Sequence, residues 1–157
     1  MSSTLLTSLL IRKLERFDPW SEEERQAVLE STVATLRLPA HADLVREGQT
    51  PEGVHVMLEG FACAYKLLQD GRRQIISYCV PGDLCDLRAL MLPKMECSVG
   101  TLSPVQVARL AQAKLLDAVG KYPRIMRALW WTTLVEQGIA REWIVNVGQR
   151  TAFSRAA

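Results

Sequence analysis

Residues 81–102 read PGDLCDLRALMLPKMECSVGTL, and the rest of the chain is arranged on either side of them. The stretch opens on a Pro-Gly-Asp turn, passes through the Leu/Ala/Met-rich segment DLRALMLP and re-enters a β-like run at CSVGTL. A strand, a tight turn, one or two turns of helix and a second strand together form a common wrapping of backbone N–H groups around an anion. Pro-Gly-Asp turns occur in many β proteins, so the flanking segments decide what this one means.

Upstream, the apolar period is two. Strands are expected over 33–38, ended by Pro39, and over 43–48, 54–60, 61–68 and 73–80. Asp70-Gly71 supplies the positive φ angles of a hairpin turn. Turn glycines at 48, 60, 71 and 82, with short strands between them, signal a compact all-β barrel, roll or sandwich. Eight short strands are expected before about residue 110.

Helices bracket the strands. Leu6, Leu9, Leu10 and Leu14 give three-to-four spacing over 4–16, and Pro19 interrupts it. Ser21 followed by Glu24 is a capping box for a second helix that fades near Ser31. After Ala111 a short helix over 113–119 is closed by Gly120, and Pro123 suits the first turn of a long one. From 124 to 147 there is no proline and one glycine, Gly138, so this helix should be roughly 35 Å long.

Its apolar residues cover more than one face. One side can lie on the roll, and the other wants a partner, most simply the same helix of a second copy. Trp131, Leu134, Val135, Gly138, Ile139 and Ile144 are the candidate seam, with Gly138 letting two backbones approach. Burial in a larger core is the alternative, but the β portion leaves little else to cover the helix. Three regions result: a sensor roll with its N-terminal helices over 1–120, a dimerisation helix over 121–148, and the start of a further domain over 149–157. The ending reads, in sequence, as a truncation.

Composition sets limits. A chain that is 48% hydrophobic and 23% charged is ordinary for a soluble globular domain. The net charge is +2 with Lys and Arg spread out, which gives no nucleic-acid face by itself. The N-terminal apolar run lacks a basic leader and a cleavage site, and no run reaches membrane-spanning length. Cys63, Cys79, Cys85 and Cys97 show no C-x-x-C spacing, so no metal site is expected. They read first as buried small residues in a reduced cytoplasm. A redox-sensing thiol is the alternative, with Cys85 and Cys97 as candidates because they flank the 81–102 pocket.

Two initial helices, a glycine-spaced roll, a Pro-Gly-Asp segment and a long helix together resemble the Crp/Fnr family of bacterial transcription regulators. The motifs are EGQTPEGVHVMLEG, DGRRQIISYCVPGDL and VGQRTAF, and the resemblance covers essentially the whole chain. It implies an α+β, cyclic-nucleotide-binding-domain fold: an eight-stranded antiparallel β-roll, jelly-roll-like, with N-terminal helices and a long C-terminal dimerisation helix. It also implies a cytoplasmic homodimer and a winged helix-turn-helix that follows the long helix, binds DNA and is missing from this sequence. RNA polymerase is a further implied partner; catalysis and a membrane are not.

The family's cyclic-AMP pocket carries a Gly-Glu pair, whose Glu accepts from the ribose hydroxyl, and an Arg-Ser pair that clamps the phosphate. These positions fall on Asp86 and Leu87, and on Cys97 and Ser98, and only Ser98 is retained. The missing Arg removes a charge-assisted bond worth about 1.5–3 kcal/mol. An Asp86 carboxylate about 4 Å from a phosphate would cost roughly 4 kcal/mol at an effective dielectric near 20. Arg88 has the right sign to replace the clamp, or it pairs with Asp83, Asp86 or solvent.

The effector-pocket candidates are therefore Gly82, Asp83, Leu84, Cys85, Asp86, Leu87, Arg88, Cys97 and Ser98, and the expectation is that cyclic AMP is not bound in the usual way. No cofactor is expected either. Iron–sulfur members carry N-terminal cysteines, whereas none precedes Cys63 here. Haem needs an axial ligand, and His41 and His55 read as surface or satisfied side chains. PGDLCDL also looks like the FixK-type branch. The competing reading is a ligand-binding regulatory module that still takes a cyclic nucleotide or another small effector. A cupin-like enzyme would need His residues converging on a metal, and the two here form no such pair.

Overall fold

The computed structural model describes residues 3–149, with side chains described from residue 9. Helix α1 (Ser3–Leu14) and helix α2 (Glu22–Ser31) lead into strands β1 (Thr32–Leu38), β2 (Asp43–Val45), β3 (Val54–Glu59), β4 (Ala62–Leu67) and β5 (Arg73–Cys79). A 3-10 turn over Leu87–Leu90 follows, then β6 (Ser98–Thr101), β7 (Val105–Leu110), α3 (Gln112–Lys121) and α4 (Pro123–Gln149).

The strands form two antiparallel sheets, ordered β1-β7-β3 and β2-β6-β4-β5. The expected antiparallel roll with flanking helices is present, with seven strands among the described residues where eight were expected. Leu84 makes a single bridge to Val56, and the chain then coils at Leu87 before a second ladder step can form.

The α2 cap forms as read. Ser21 Oγ accepts from Glu24 N–H at 3.3 Å, and Glu24 Oε2 accepts from Ser21 N–H at 2.7 Å. Such a cap contributes about 1 kcal/mol. Gly120 does not close α3, which runs on to Lys121; Pro123, lacking a backbone N–H, starts α4 instead.

The core lies between the sheets and the helices. Leu10 and Leu14 of α1 and Val28 of α2 meet the buried runs of β3 (Val54, Val56, Met57, Leu58) and β7 (Val105, Val107, Leu110). Leu115 of α3 and Ile125 and Leu129 of α4 complete it. Between β3 and β4 the chain reverses at Gly60 (φ +84°), where a Cβ would stand 2.3 Å from the carbonyl oxygen of Pro104. Only glycine fits there.

Helix α4 is anchored at its start through Ile125, Ala128, Leu129 and Thr132, all buried. Beyond Thr132 its apolar side chains face outward, with Leu134, Ile139 and Ile144 54%, 53% and 71% exposed. The helix is thus not covered by a larger core of its own. Trp131 differs from the other seam candidates, because its ring stacks on Phe17 with centroids 5.8 Å apart, a contact within the chain. The further helix expected near the end falls in 150–157, outside the described residues.

Candidate functional site

The segment from Pro81 to Ser98 lies against β3, α1 and α3, and several of its polar groups are committed to the protein itself. Gly82 takes a positive φ of +93°, its N–H donates to Met57 carbonyl oxygen at 2.8 Å, and a Cβ there would press on the Leu9 carbonyl oxygen at 3.4 Å. The N–H groups of Asp83, Cys85 and Ala89 donate to the carbonyls of Val80, His55 and Asp86 at 3.0, 2.8 and 2.8 Å. An anion cradle was expected from these backbone groups. These four N–H groups bond protein carbonyls instead, as buried backbone must.

Asp83 is half-buried. One carboxylate oxygen pairs with the Lys13 ammonium of α1, and the other accepts from Val80 N–H at 3.0 Å. Asp86 is fully buried and turns inward. Its Oδ1 accepts from His55 N–H at 2.6 Å, and its Oδ2 lies 2.7 Å from His55 Nδ1. Both carboxylate oxygens of Asp86 are thus taken up by His55. The carboxylate serves β3, because a buried charge keeps its place only when paired and hydrogen-bonded. His55, flagged as a surface or satisfied side chain, is a buried and satisfied one. The signal for this pair was in the sequence: one imidazole inside the apolar run VHVML and one carboxylate inside another.

Leu84 and Cys85 are also buried, and Leu87 is half-buried at the head of the 3-10 turn. Arg88 is an exposed cation of the segment, as is Lys94. Its Nε pairs with Glu96 Oε1 at 2.8 Å, and its Nη2 donates to Cys97 Sγ at 3.5 Å. The guanidinium thus stands over Cys97, the position where the resemblance put the missing clamp. Its partner is Glu96, where Asp83, Asp86 or solvent were expected. Ser98 is buried, and its Oγ accepts from Glu47 N–H at 3.0 Å.

All four cysteines are free and buried. Burial pushes the Cys97 thiol up, with Arg88 opposing. Cys85 is pushed well up, first by a hydrogen bond with the Cys79 thiol and then by burial. A single-thiol sensor needs an exposed, acidic sulfur, so Cys85 and Cys97 lack the features expected of them. The neighbour of Cys85 is Cys79, not Cys97. Among the described residues no group of three or more His, Cys, Asp or Glu side chains could hold a metal ion. No described helix is long and apolar enough to cross a membrane.

A second surface lies along α4. Ile75, Ile76 and Tyr78 of β5 and Trp143, Ile144 and Val147 of α4 line an open apolar groove of about 670 Å³. Nothing lies within 4 Å of a Cβ placed on Gly138, so the helix presents bare backbone there.

Residues 35–122 match the cyclic nucleotide-binding domain family, more than half of the chain. The nitrogen fixation regulation protein FixK of Azorhizobium caulinodans is 29% identical over 146 residues, 87% of this chain and 58% of that protein. The transcriptional activatory protein AadR of Rhodopseudomonas palustris is 28% identical over 116 residues, 73% of this chain and 47% of that protein. The chain spans about half the length of the curated relatives it matches. Among solved structures, FixK2 from Bradyrhizobium japonicum superposes with a TM-score of 0.71 at 27% identity, over 76% of this chain and 59% of that one. The sensor domain of the regulator DNR from Pseudomonas aeruginosa shares the fold at a TM-score of 0.70 and 19% identity, over 88% of this chain and 95% of that one. The chain belongs to the cyclic nucleotide-binding domain family, and over most of its length it is similar to FixK-type regulators.

Proposed function

We propose that the chain is the sensor and dimerisation portion of a cytoplasmic DNA-binding transcription regulator, with a sensor roll over 1–120 and a dimerisation helix over 121–148. DNA would be engaged by a helix-turn-helix beyond residue 149, and RNA polymerase would be the downstream partner. No catalysis enters this reading. The observation that carries it is the exposed apolar stripe of α4, continued by the outer face of β5. Soluble proteins seldom leave so large a contiguous patch uncovered, and a second copy of α4 packed across Gly138 would cover it.

The effector segment is read as one that does not take cyclic AMP in the usual way. Leu87 cannot accept a ribose hydroxyl, and Cys97 cannot clamp a phosphate. A second reading has one observation in its favour, the Arg88 guanidinium over Cys97. An anionic effector could use it only by displacing Glu96.

Light scattering tests the proposal. The chain should run as a dimer at tens of micromolar, and Ile139→Glu, which puts a charge into the seam, should give monomers. A monomeric parent chain, or a dimeric Ile139→Glu, would remove α4 as the seam.

A further inference from the structure

We infer that Glu136 is a positioning residue through which the Pro-Gly-Asp segment acts on the long helix: the Lys13 ammonium serves both Asp83 and Glu136, and the carboxylate that holds it sets how closely the outer half of α4 rests on the roll. The helix itself places Glu136. Ile125, Ala128, Leu129 and Thr132 are the buried positions of α4, so they mark the stripe that faces the roll. At about 3.6 residues per turn that stripe continues through Glu136 and Ala140 to Trp143 and Val147. Ala140, Trp143 and Val147 do line the groove with Ile75, Ile76 and Tyr78 of β5. Glu136 is thus the one charged side chain among these positions, a turn beyond Thr132.

What α4 passes at that point follows from its contacts on either side. Below, the Trp131 ring stacks on Phe17, just past the end of α1. Above, Trp143 stands over β5. Glu136 lies about 8 Å along the axis from Trp131 and about 10 Å from Trp143. Between Phe17 and Tyr78 on the roll come Lys13, one turn back along α1, and residues 80–83, which continue from β5. The ion pair from Lys13 to Asp83 joins the two, and α1 and α4 touch. Glu136 therefore stands over that pair.

One ammonium then meets two carboxylates, and Asp83 is the one that holds it in this structure. The other charges around Glu136 are few. Three and four residues away on α4 stand Thr132, Thr133, Ile139 and Ala140, none of them charged, and residues 74–78 of β5 carry no charge either. Lys13 faces it from α1, and Asp83 and Arg88 face it from the segment, Arg88 being itself paired with Glu96. Glu136 keeps an exposed flank, yet burial pushes its carboxyl above the ordinary range; Arg88 opposes that push, Asp83 adds to it and Lys13 opposes it. With Lys13 held by Asp83, a charged Glu136 is poorly matched to the apolar stripe, so the outer half of α4 rests loosely. Opening the Lys13–Asp83 pair releases Lys13 to Glu136 and draws the helix onto the roll.

Amide hydrogen exchange over residues 134–147 of the native chain reads the lie of the helix. Parent and variants are compared at concentrations that give them the same oligomeric state, so the result does not depend on whether α4 is the seam. Glu136→Leu completes the apolar stripe with a residue of similar helix propensity and should slow exchange there. Asp83→Asn keeps an acceptor for Val80 N–H but gives up the ion pair. It should slow exchange too, and that slowing should vanish when it is made in Glu136→Gln. The parent should also respond to acid, after correction for the intrinsic pH dependence of exchange. Because the Glu136 carboxyl is raised, seating is fully favoured below the ordinary carboxylate range and is lost as pH rises through the raised value. Exchange should therefore slow as pH falls towards that range, and Glu136→Gln should show no such slope. Unchanged exchange in Glu136→Leu, a slope that survives in Glu136→Gln, or an Asp83→Asn effect that does not need Glu136 would each overturn the proposal. The Glu136 variants leave the Val80–Asp83 turn untouched, so they decide the matter even where Asp83→Asn does not fold.

Discussion

Asp86 Oδ2 lies 2.7 Å from His55 Nδ1, and Asp86 Oδ1 accepts the His55 backbone N–H at 2.6 Å, both inside the protein. Asp86 is therefore a latch between the Pro-Gly-Asp segment and β3. Asp86→Ala strands a buried N–H and a buried imidazole, which costs about 1–3 kcal/mol for unsatisfied groups. Urea unfolding should show that loss with an unchanged slope. Full stability in Asp86→Ala would mean the latch contributes nothing.

Cyclic AMP and cyclic GMP should leave the thermal midpoint where it is. A ligand present at about 100 times its dissociation constant stabilises by roughly 2.7 kcal/mol. For a chain of this size that is a shift of several degrees. Such a shift, abolished by Arg88→Met, would mean Arg88 has taken over the clamp after displacing Glu96.

Alkaline pH should weaken the fold. The thiols of Cys63, Cys85 and Cys97 are all raised above their ordinary 9.0, Cys63 and Cys97 chiefly by burial and Cys85 first by its bond with Cys79. The folded chain then keeps these protons to higher pH than the unfolded chain does. Stability from this source is fully present below pH 9 and is lost as pH rises above it. The urea midpoint should fall between pH 8 and pH 10, and fall less in Cys85→Ala. An equal fall in both would assign the effect to other groups.

Arg88→Met should slow alkylation of Cys97. The guanidinium 3.5 Å away opposes the upward push of burial, so its loss moves the thiol further up and the labelling curve to higher pH. An unchanged curve would detach Arg88 from Cys97.

Gly60→Ala should destabilise by more than the roughly 1–2 kcal/mol of a left-handed backbone alone, because the new Cβ meets the Pro104 carbonyl oxygen at 2.3 Å. Thermal unfolding checks it. A midpoint within a degree of the parent would show that the β3–β4 turn can shift to make room.

What could be read from the sequence was what neighbours in sequence decide. The Ser21–Glu24 cap spans three residues, the β4–β5 hairpin turns at Asp70-Gly71, and the apolar period separates strand from helix without reference to the rest of the chain. The site was legible as a segment and not as a set of contacts. His55 and Asp86 are 31 residues apart, and Lys13 and Asp83 are 70 apart. Which way Asp86 turns depends on β3 lying beneath it, and that is fixed by sheet packing. Cys85 and Cys97 were expected to flank the pocket as candidate thiols, and both are buried.

Helix α4 continues unbroken for 17 residues past Thr132, its last buried position, or about 26 Å at 1.5 Å per residue. It is a long arm on a short mount. A tilt of about 5° where Ile125, Ala128 and Leu129 grip the roll would carry Gln149 sideways by about 2 Å. Displacements too small to disturb packing around Arg88 and Asp83 are thus magnified at the far end of the helix, where the remainder of the chain begins.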